Sequence, residues 1–202
     1  MLRPRRPRLI DELEVKARVT DLRALRRALR RAGARLEFRG RMTDRRFDHR
    51  RELIQRDEVL RLRVYRPTGR SGRDRAHAVL AWKGAASTRR GAYRHRAELE
   101  VGVADANAMV VLLARLRYRI TEVIDRRVEV YRLGKAVLRL ERYPRMDTLL
   151  EVEGPPPAIE RAIAATGLPR GVFLSESLPY FVAAYRRRTG RPARLAEGEG
   201  RP

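Results

Sequence analysis

Apolar and polar residues alternate along much of this chain. This alternation predicts β-strands, because successive side chains of a strand point to opposite faces. Eight strands are expected, at about 10–19, 35–48, 58–66, 76–84, 95–103, 119–132, 136–142 and 148–153. Gly134 marks a tight turn between two of them, and the segment 66–75 is a second, longer hairpin connection.

Four other segments have helical spacing. The first begins near Asp21, carries Leu22, Leu25 and Leu29 on one stripe, and ends at Gly33. The others are expected at 105–117, 157–166 and 178–188. The helix at 105–117 is nearly all apolar, which predicts that it is well buried. The elements together predict an α+β fold, an eight-stranded antiparallel β-barrel with helices packed on its outside.

A weak internal repeat supports this architecture. "ELEVKARVTDLRALRRALRRAGARL" and "ELEVGVADANAMVVLLARLRYRI" begin 86 residues apart and share the order strand, turn, Asp-initiated helix, strand. A fold with approximate two-fold symmetry would explain the repeat. Chance similarity of amphipathic segments is the alternative. One domain is expected over residues 10–188. The segments 1–9 and 189–202 are expected to be disordered tails, because they have little to bury.

The composition is extremely basic, with 48 Lys and Arg against 25 Asp and Glu, a net charge of +23. This charge indicates either a solvated arginine-rich surface or an anionic partner, such as nucleic acid or polyphosphate. The absence of cysteine excludes disulfides and thiolate sites. No apolar run is long enough for a membrane span, and the basic N-terminus lacks the apolar core of a secretory signal. We therefore expect a cytoplasmic protein without membrane contact.

The predicted strands carry charge on one face and apolar side chains on the other. In "ELEVK", for example, Glu12, Glu14 and Lys16 share a face. For a single strand the ordinary interpretation is a charged face in water. The helices need an apolar surface to cover, however, so for the whole set we expect the apolar faces outside and the charges inside the barrel.

A charged interior is costly unless its charges are compensated. A polyphosphate bound with divalent cations would compensate both signs. Carboxylates suit hard cations, and Lys and Arg suit phosphate oxygens. The isolated His49, His77 and His95 show no metal-ligand spacing.

Six motifs, in order, resemble the CYTH superfamily of triphosphate tunnel metalloenzymes. They are "ELEVK" (12–16), "TDRRFD" (43–48), "RDEVLRLR" (56–63), "LAWKG" (80–84), "RAELEV" (96–101) and "LERYPRMDTLLEVEG" (140–154). The resemblance covers residues 10–188 and is closest to the class IV (CyaB-type) adenylate cyclases. It implies an eight-stranded tunnel that binds Mg²⁺ or Mn²⁺ and a triphosphate such as ATP, thiamine triphosphate or inorganic triphosphate.

The resemblance also implies roles for individual residues. Metal binding is implied for seven carboxylates, namely Glu12, Glu14, Glu98, Glu100, Glu141, Glu151 and Glu153. Triphosphate binding is implied for Lys16, Arg61, Arg63, Lys83, Arg96 and Arg126, and the first four of these are the expected catalytic residues.

The chain departs from the family pattern at several positions. Glu141 replaces the usual Asp, and Val128 replaces a common basic residue, which removes one phosphate contact. Arg127 belongs to the opposite face of a regular strand and could substitute only across a bulge. Arg46 replaces a Tyr and Asp147 a Gly, and both changes concern turns or the rim.

Three functions follow, in order of preference. The first is a cyclase that converts ATP to cAMP and pyrophosphate, favoured by "RDEVLRLR" and "SESLPYF". The second is an inorganic, thiamine or nucleoside triphosphatase. The third is a non-catalytic binder of polyphosphate or RNA, which would use the arginines of the first helix and the tails. Nucleic acid is not favoured as a partner, and a homodimer is left open.

Overall fold

A computed structural model describes residues 9–68, 76–87 and 93–197. Eight strands form in the predicted places, in the order β1 Ile10–Val19, β2 Arg35–Asp48, β3 Val59–Pro67, β4 His77–Lys83, β5 Arg94–Val103, β6 Arg119–Leu133, β7 Ala136–Arg142 and β8 Thr148–Glu153. The connection between β3 and β4 falls largely on residues 69–75, which lie outside the described residues. The turn at Gly134 is as expected, with a φ of 57°.

The strands close into one antiparallel barrel, in the order β1-β5-β4-β3-β2-β6-β7-β8. Exchanging β1–β4 with β5–β8 reproduces every neighbour in this order, so the topology agrees with the predicted repeat. The α+β barrel with external helices is confirmed. In the part of the chain that the structure describes, no helix is both long and apolar enough to cross a membrane.

Helices follow the strands as α1 Leu22–Arg31, α2 Glu52–Gln55, α3 Ala106–Arg115, α4 Pro156–Thr166 and α5 Leu178–Thr189. Asp21 caps α1 by accepting a hydrogen bond from the Ala24 amide at 2.8 Å, and Asp105 caps α3 in the same way. The short α2 and a 3₁₀ turn at Arg170–Val172 were not predicted. Each has at most one turn, too short for a periodic pattern to register.

The barrel is turned as the charge pattern predicted. Val15 of β1, Leu138 of β7 and Leu150 of β8 point outward and are fully buried against α1 and α4, where they meet Leu29 and Ile159. Leu62 of β3 packs in a second external cluster beneath α3. Because the apolar faces lie outside under the helices, the charged faces line the barrel.

The prediction that the helix at 105–117 is well buried was wrong. Only Leu113 of α3 is buried, whereas Val111, Leu112 and Leu116 are 58%, 53% and 60% exposed. A helix on the outside of a barrel covers the sheet with one stripe, so apolar residues on its other faces remain in solvent.

Part of the predicted C-terminal tail, 189–202, is also ordered. Arg194 and Arg145 exchange backbone hydrogen bonds of 2.7 and 3.1 Å, and the Asp125 amide donates to the Leu195 carbonyl at 2.7 Å. Leu195 packs against an apolar cluster that includes Phe181 of α5. The expected disorder is therefore wrong for 189–197, because this segment finds a strand edge and an apolar contact. Residues 1–8 and 198–202 lie outside the described residues.

Candidate functional site

The interior of the barrel holds a cavity of about 320 Å³, which we call the tunnel cavity. Nine basic and six acidic side chains line it. The basic residues are Lys16, Arg46, Arg61, Arg63, Lys83, Arg94, Arg96, Arg126 and Arg139, and the acidic residues are Glu12, Glu14, Asp57, Glu58, Glu141 and Glu151. The excess of positive charge makes the cavity suited to a polyanion rather than to a neutral molecule.

One wall is a chain of alternating charges on β1, β8 and β7. The ammonium of Lys16 lies 2.7 Å from Glu14 and 2.8 Å from Glu151. Glu151 also pairs with Arg139, which lies 3.3 Å from Glu153. Burial lowers the pKa of Lys16, but the two carboxylates raise it further, so this pKa lies above its ordinary value. Lys16 is therefore a fixed positive charge on this wall.

A second chain of charges runs across β1, β4, β5 and β3. Lys83 pairs with Glu12 and lies 3.2 Å from Glu98. Arg61 lies 3.3 Å from Glu98 and 3.8 Å from Glu100. Burial raises the pKa of Glu12, but Lys83 lowers it below its ordinary value. The predicted lysine and arginine ligands therefore meet the predicted carboxylates across neighbouring strands.

A third group is centred on Asp44 of β2, which the sequence analysis did not select. Asp44 accepts hydrogen bonds of 2.7 and 3.0 Å from Arg63 and one of 3.0 Å from Arg126. Arg126 also donates to Glu141 at 2.9 Å, and Tyr143 donates to the same carboxylate. Burial raises the pKa of Asp44, but Arg126 and Arg63 hold it well below its ordinary value. Asp44 is therefore an ionised carboxylate at the centre of a buried hydrogen-bonded network.

Arg96 is held by backbone and loop groups at the cavity wall. Its guanidinium donates to the carbonyls of Asp57 and Gly84 and to the Asp57 carboxylate, each at 2.7 Å. These contacts tie β5 to the segment between α2 and β3. Arg96 therefore fixes the shape of the cavity wall in this structure, in addition to the phosphate contact predicted for it.

The structure brings ten of the thirteen predicted site residues to the tunnel cavity. The other three, Glu98, Glu100 and Glu153, lie on the same strand faces but outside the cavity lining. Glu98 contacts Lys83 and Arg61 from behind, and the side chain of Glu100 is 42% exposed. Alternation along each strand predicted that these side chains face the barrel interior. Their position along the barrel axis decides whether they also reach the cavity.

The sequence did not single out the cavity residues Arg94, Arg139 and Tyr143, nor Asp44, which contacts the cavity residues Arg63 and Arg126. All four could have been found from the sequence, because side chains two residues apart share a face of a strand. Asp44 and Arg46 alternate along β2, Arg94 precedes Arg96 on β5, and Arg139, Glu141 and Tyr143 alternate along β7. The replacement of a Tyr by Arg46 was expected to affect only a turn or the rim of the barrel, but Arg46 lines the cavity.

Val128 stands where the family has a basic residue, and it is buried in an apolar cluster with Phe38 and Met42. It lies two residues after Arg126 on β6 and therefore faces the barrel interior as Arg126 does. Apolar packing therefore occupies this position beside the charged layer, and the loss of a phosphate contact here stays a prediction from the resemblance. Arg127 is exposed on the opposite face, and its pairing with Arg41 and Arg142 is regular, without a bulge.

Four buried guanidinium nitrogens have no hydrogen-bond acceptor among the described residues. They are Nε of Arg46, Arg61 and Arg139 and Nη1 of Arg126. All four side chains line the tunnel cavity. A buried N–H without an acceptor costs free energy of about 1–3 kcal/mol. These donors therefore favour a ligand that supplies acceptor oxygens.

The donor chemistry of the cavity also fits Mg²⁺ or Mn²⁺. Glu12, Glu14 and Glu151 offer carboxylate oxygens, the ligands that hard cations prefer. Burial raises the pKa of Glu14 to about 7, opposed by Lys16 and reinforced by Glu151. Lysine ammoniums lie beside these carboxylates, and no ready-made cluster of three acidic or histidine ligands is found within the described ranges. A cation would share the carboxylates with Lys16 and Lys83.

By sequence, no protein-family model and no curated protein matches the chain. Solved structures are similar in fold. A "putative adenylate cyclase" from Vibrio parahaemolyticus has a TM-score of 0.69 at 16% identity, over 85% of this chain and 97% of that one. The PH1819 protein of Pyrococcus horikoshii has a TM-score of 0.64 at 21% identity, over 89% and 99%.

A third similar structure is the "putative adenylyl cyclase" HpAC1 from Hippeastrum, described as revealing a dominant triphosphatase activity. Its TM-score is 0.57 at 18% identity, over 93% of this chain and all of that one. Identities this low show a common fold and no more. The chain thus has the fold of these proteins, an eight-stranded antiparallel barrel, which is the fold that the resemblance to the CYTH superfamily implied.

Proposed function

We propose that this protein is a metal-dependent CYTH enzyme that acts on a triphosphate bound in the tunnel cavity. The observation that carries the proposal is the set of unsatisfied guanidinium donors of Arg46, Arg61, Arg126 and Arg139. Guanidinium groups match phosphate oxygens in geometry and charge. A triphosphate offers many acceptor oxygens and enough negative charge to offset the basic excess of the cavity.

The proposed roles follow from the contacts. Arg61 and Arg126 hold phosphate oxygens through their free nitrogens, and Lys16, Arg63 and Lys83 add positive charge around the chain. Glu12, Glu14 and Glu151 are the carboxylates that would hold Mg²⁺ or Mn²⁺. When bound, the metal ion would neutralise phosphate charge and polarise a phosphoryl oxygen. The basic side chains stabilise negative charge on the departing phosphate group.

We propose adenylate cyclase activity first, ATP giving cAMP and pyrophosphate. The ribose 3′-hydroxyl then attacks the α-phosphorus. Leu178 and Pro179 of α5 line both the tunnel cavity and a neighbouring, more apolar cavity of about 410 Å³. This neighbouring cavity supports a substrate with an organic group beyond its phosphates.

Triphosphatase activity is the second candidate, with water attacking the terminal phosphorus. It is favoured by the fold shared with the Hippeastrum protein, whose described activity is dominated by triphosphatase. Both reactions use the same arrangement of charges. They differ in which phosphorus faces the nucleophile.

Product analysis tests the proposal. The purified chain is incubated with Mg²⁺ or Mn²⁺ and, in turn, with ATP, thiamine triphosphate and inorganic triphosphate. Formation of cAMP and pyrophosphate supports a cyclase, and orthophosphate supports a triphosphatase. Binding of each triphosphate without turnover would leave the non-catalytic interpretation.

The double substitution Glu12→Gln and Glu14→Gln tests the role of the carboxylates. We expect kcat/KM to fall at least about 100-fold, because several kcal/mol of transition-state stabilisation depend on the metal ion. Glu176→Gln, at an exposed position, is the matched control and should retain turnover. Undiminished metal-dependent turnover in the double variant would overturn the proposed mechanism.

A further inference from the structure

Part of the barrel's outer surface is strongly basic, and among the described residues no helix residue lines the groove found there. The helices α1 and α4 cover β1, β7, β8 and Tyr131 of β6, and α3 covers β3, β4 and the ends of β2 and β6 at Phe47 and Ile120. Between them, the outer face of β2 and β6 borders a groove of about 740 Å³. Arg126 and Tyr143 line both this groove and the tunnel cavity, whereas Arg41, Arg127 and Arg142 line only the groove.

Four arginines form a row across this face, which we call the arginine row. In the strand register, Arg66 of β3 pairs with Arg41 of β2, Arg41 with Arg127 of β6, and Arg127 with Arg142 of β7. With strands about 4.8 Å apart, the row spans about 14 Å. Like charges directly opposite each other on neighbouring strands destabilise a sheet.

Only one member of the row is compensated. Arg41 pairs with Asp125 and lies 3.5 Å from Glu197. Arg66, Arg127 and Arg142 have no ion-pair partner among the described residues.

The remaining carboxylate of the groove is Glu129, and it is also occupied. It accepts hydrogen bonds from Arg26 and Tyr131. The acidic groups of the groove are therefore neutralised, and the row keeps a surplus of positive charge.

The basic surface continues beyond the groove. The Arg26–Glu129 contact joins α1 to the edge of the groove, at an Nε–Oε2 distance of 3.1 Å. Three more exposed arginines lie along the same helix, at positions 23, 27 and 30. A site extended in this way fits a chain of anions better than a single small one.

We propose that the arginine row and the adjoining face of α1 bind the phosphodiester backbone of single-stranded nucleic acid. Guanidinium groups pair with phosphate oxygens in a fixed, bidentate geometry. The groove offers Gly40, Thr68, Pro144 and Thr148 rather than exposed large apolar or aromatic side chains. It therefore favours a ligand recognised by charge, without base stacking or apolar anchoring, and the binding is independent of sequence.

Binding of a fluorescent, mixed-sequence 20-nucleotide RNA across a range of salt concentrations tests this proposal. The row variant carries Arg66→Gln, Arg127→Gln and Arg142→Gln. The control variant carries Arg115→Gln, Arg119→Gln and Arg161→Gln, which are exposed arginines that neither line the groove nor belong to α1. Both variants lose three charges, so they differ only in where the charges are lost.

We expect the row variant to bind at least about ten-fold more weakly at 0.15 M salt. The slope of log affinity against log salt should also fall by about 2, the value for three lost single-strand phosphate contacts. The control should lose less than about three-fold. Triphosphate turnover should be the same in both variants, because the row lies outside the tunnel cavity.

Four outcomes would overturn the proposal. Equal weakening in both variants would assign the binding to net charge alone. Tighter binding of the corresponding duplex would exclude a single-strand site. Binding of the protein to anionic phosphatidylserine vesicles, without binding to the RNA, would indicate that the arginine row contacts a membrane surface instead. Inorganic polyphosphate that binds tighter than RNA and is lost in the row variant would assign the groove to polyphosphate.

Discussion

Arg126 and Arg127 are neighbours in β6, but they belong to two opposite regions of the molecule. Arg126 points into the tunnel, where its side chain is 4% exposed and bonds to Asp44 and Glu141. Arg127 points outward, is exposed and has no partner among the described residues. The same side chain is thus part of a buried network on one face and a free charge on the other. The comparison shows that net charge alone says little about what an arginine does here.

The substitution Arg126→Met should give the largest loss of stability. It leaves Asp44 and Glu141 buried with less compensation, which costs about 3–5 kcal/mol of unfolding free energy. Arg127→Met removes the same charge from the outer face and should change this free energy by no more than about 0.5 kcal/mol. Chemical denaturation of both variants measures the difference. Similar losses from the two would break the distinction between the faces.

The stability of the protein should depend on the protonation of Glu14. Burial raises the pKa of Glu14 from its ordinary 4.5 to about 7, so the folded protein keeps this proton across a pH range in which the unfolded chain loses it. The unfolding free energy therefore falls as pH rises from about 4.5 to 7, by at most about 3 kcal/mol from this group. Glu14→Gln should remove this contribution.

The measurement is the difference in unfolding free energy between wild type and Glu14→Gln at pH 5 and pH 8, with a chelator present. The variant should gain stability relative to wild type at pH 8. Glu176→Gln, at the surface, serves as the control. A difference that is the same at both pH values would contradict the prediction.

Arg26→Met should lower the unfolding free energy by an intermediate amount. The Arg26–Glu129 pair is less buried than the contacts of Arg126 and less exposed than Arg127. The side chain of Arg26 is 28% exposed, but that of Glu129 is only 5% exposed. Loss of the arginine leaves a buried carboxylate with weaker compensation, at a cost of about 1–2 kcal/mol. Arg27→Met, at an exposed position of the same helix, is the control. If thermal and chemical unfolding do not separate the two variants, the graded dependence on burial is wrong.

Much of the fold could be predicted from alternation alone. The eight strands lie within one or two residues of their expected limits, and the caps at Asp21 and Asp105 form as expected. The errors concern α3 and the segment 189–197. Whether Leu112 is covered, or whether Leu195 finds an apolar cluster, depends on other segments of the chain. Local patterns contain no information about such partners.

The sequence predicted which strand faces carry the candidate site, but not which of its charged side chains pair with one another. Alternation placed Glu12, Glu14 and Lys16 together, because side chains two residues apart share a face of a strand. Asp44 was missed because its importance lies in its contacts with Arg63 and Arg126, and Arg126 is 82 residues away in the chain. The predicted metal ions and the assignment of catalytic roles stay predictions, to be decided by the experiments above.

The sequence by itself determined which residues form strands, which face of each strand is charged, and that the apolar faces must meet the helices. Those features depend on spacing along one segment, which the order of residues fixes. Only the tertiary structure decided which charges pair and which guanidinium nitrogens remain without acceptors. It alone also aligned Arg66, Arg41, Arg127 and Arg142 in one row. The reason is that closing the barrel sets the register between strands far apart in the chain, and register decides neighbours.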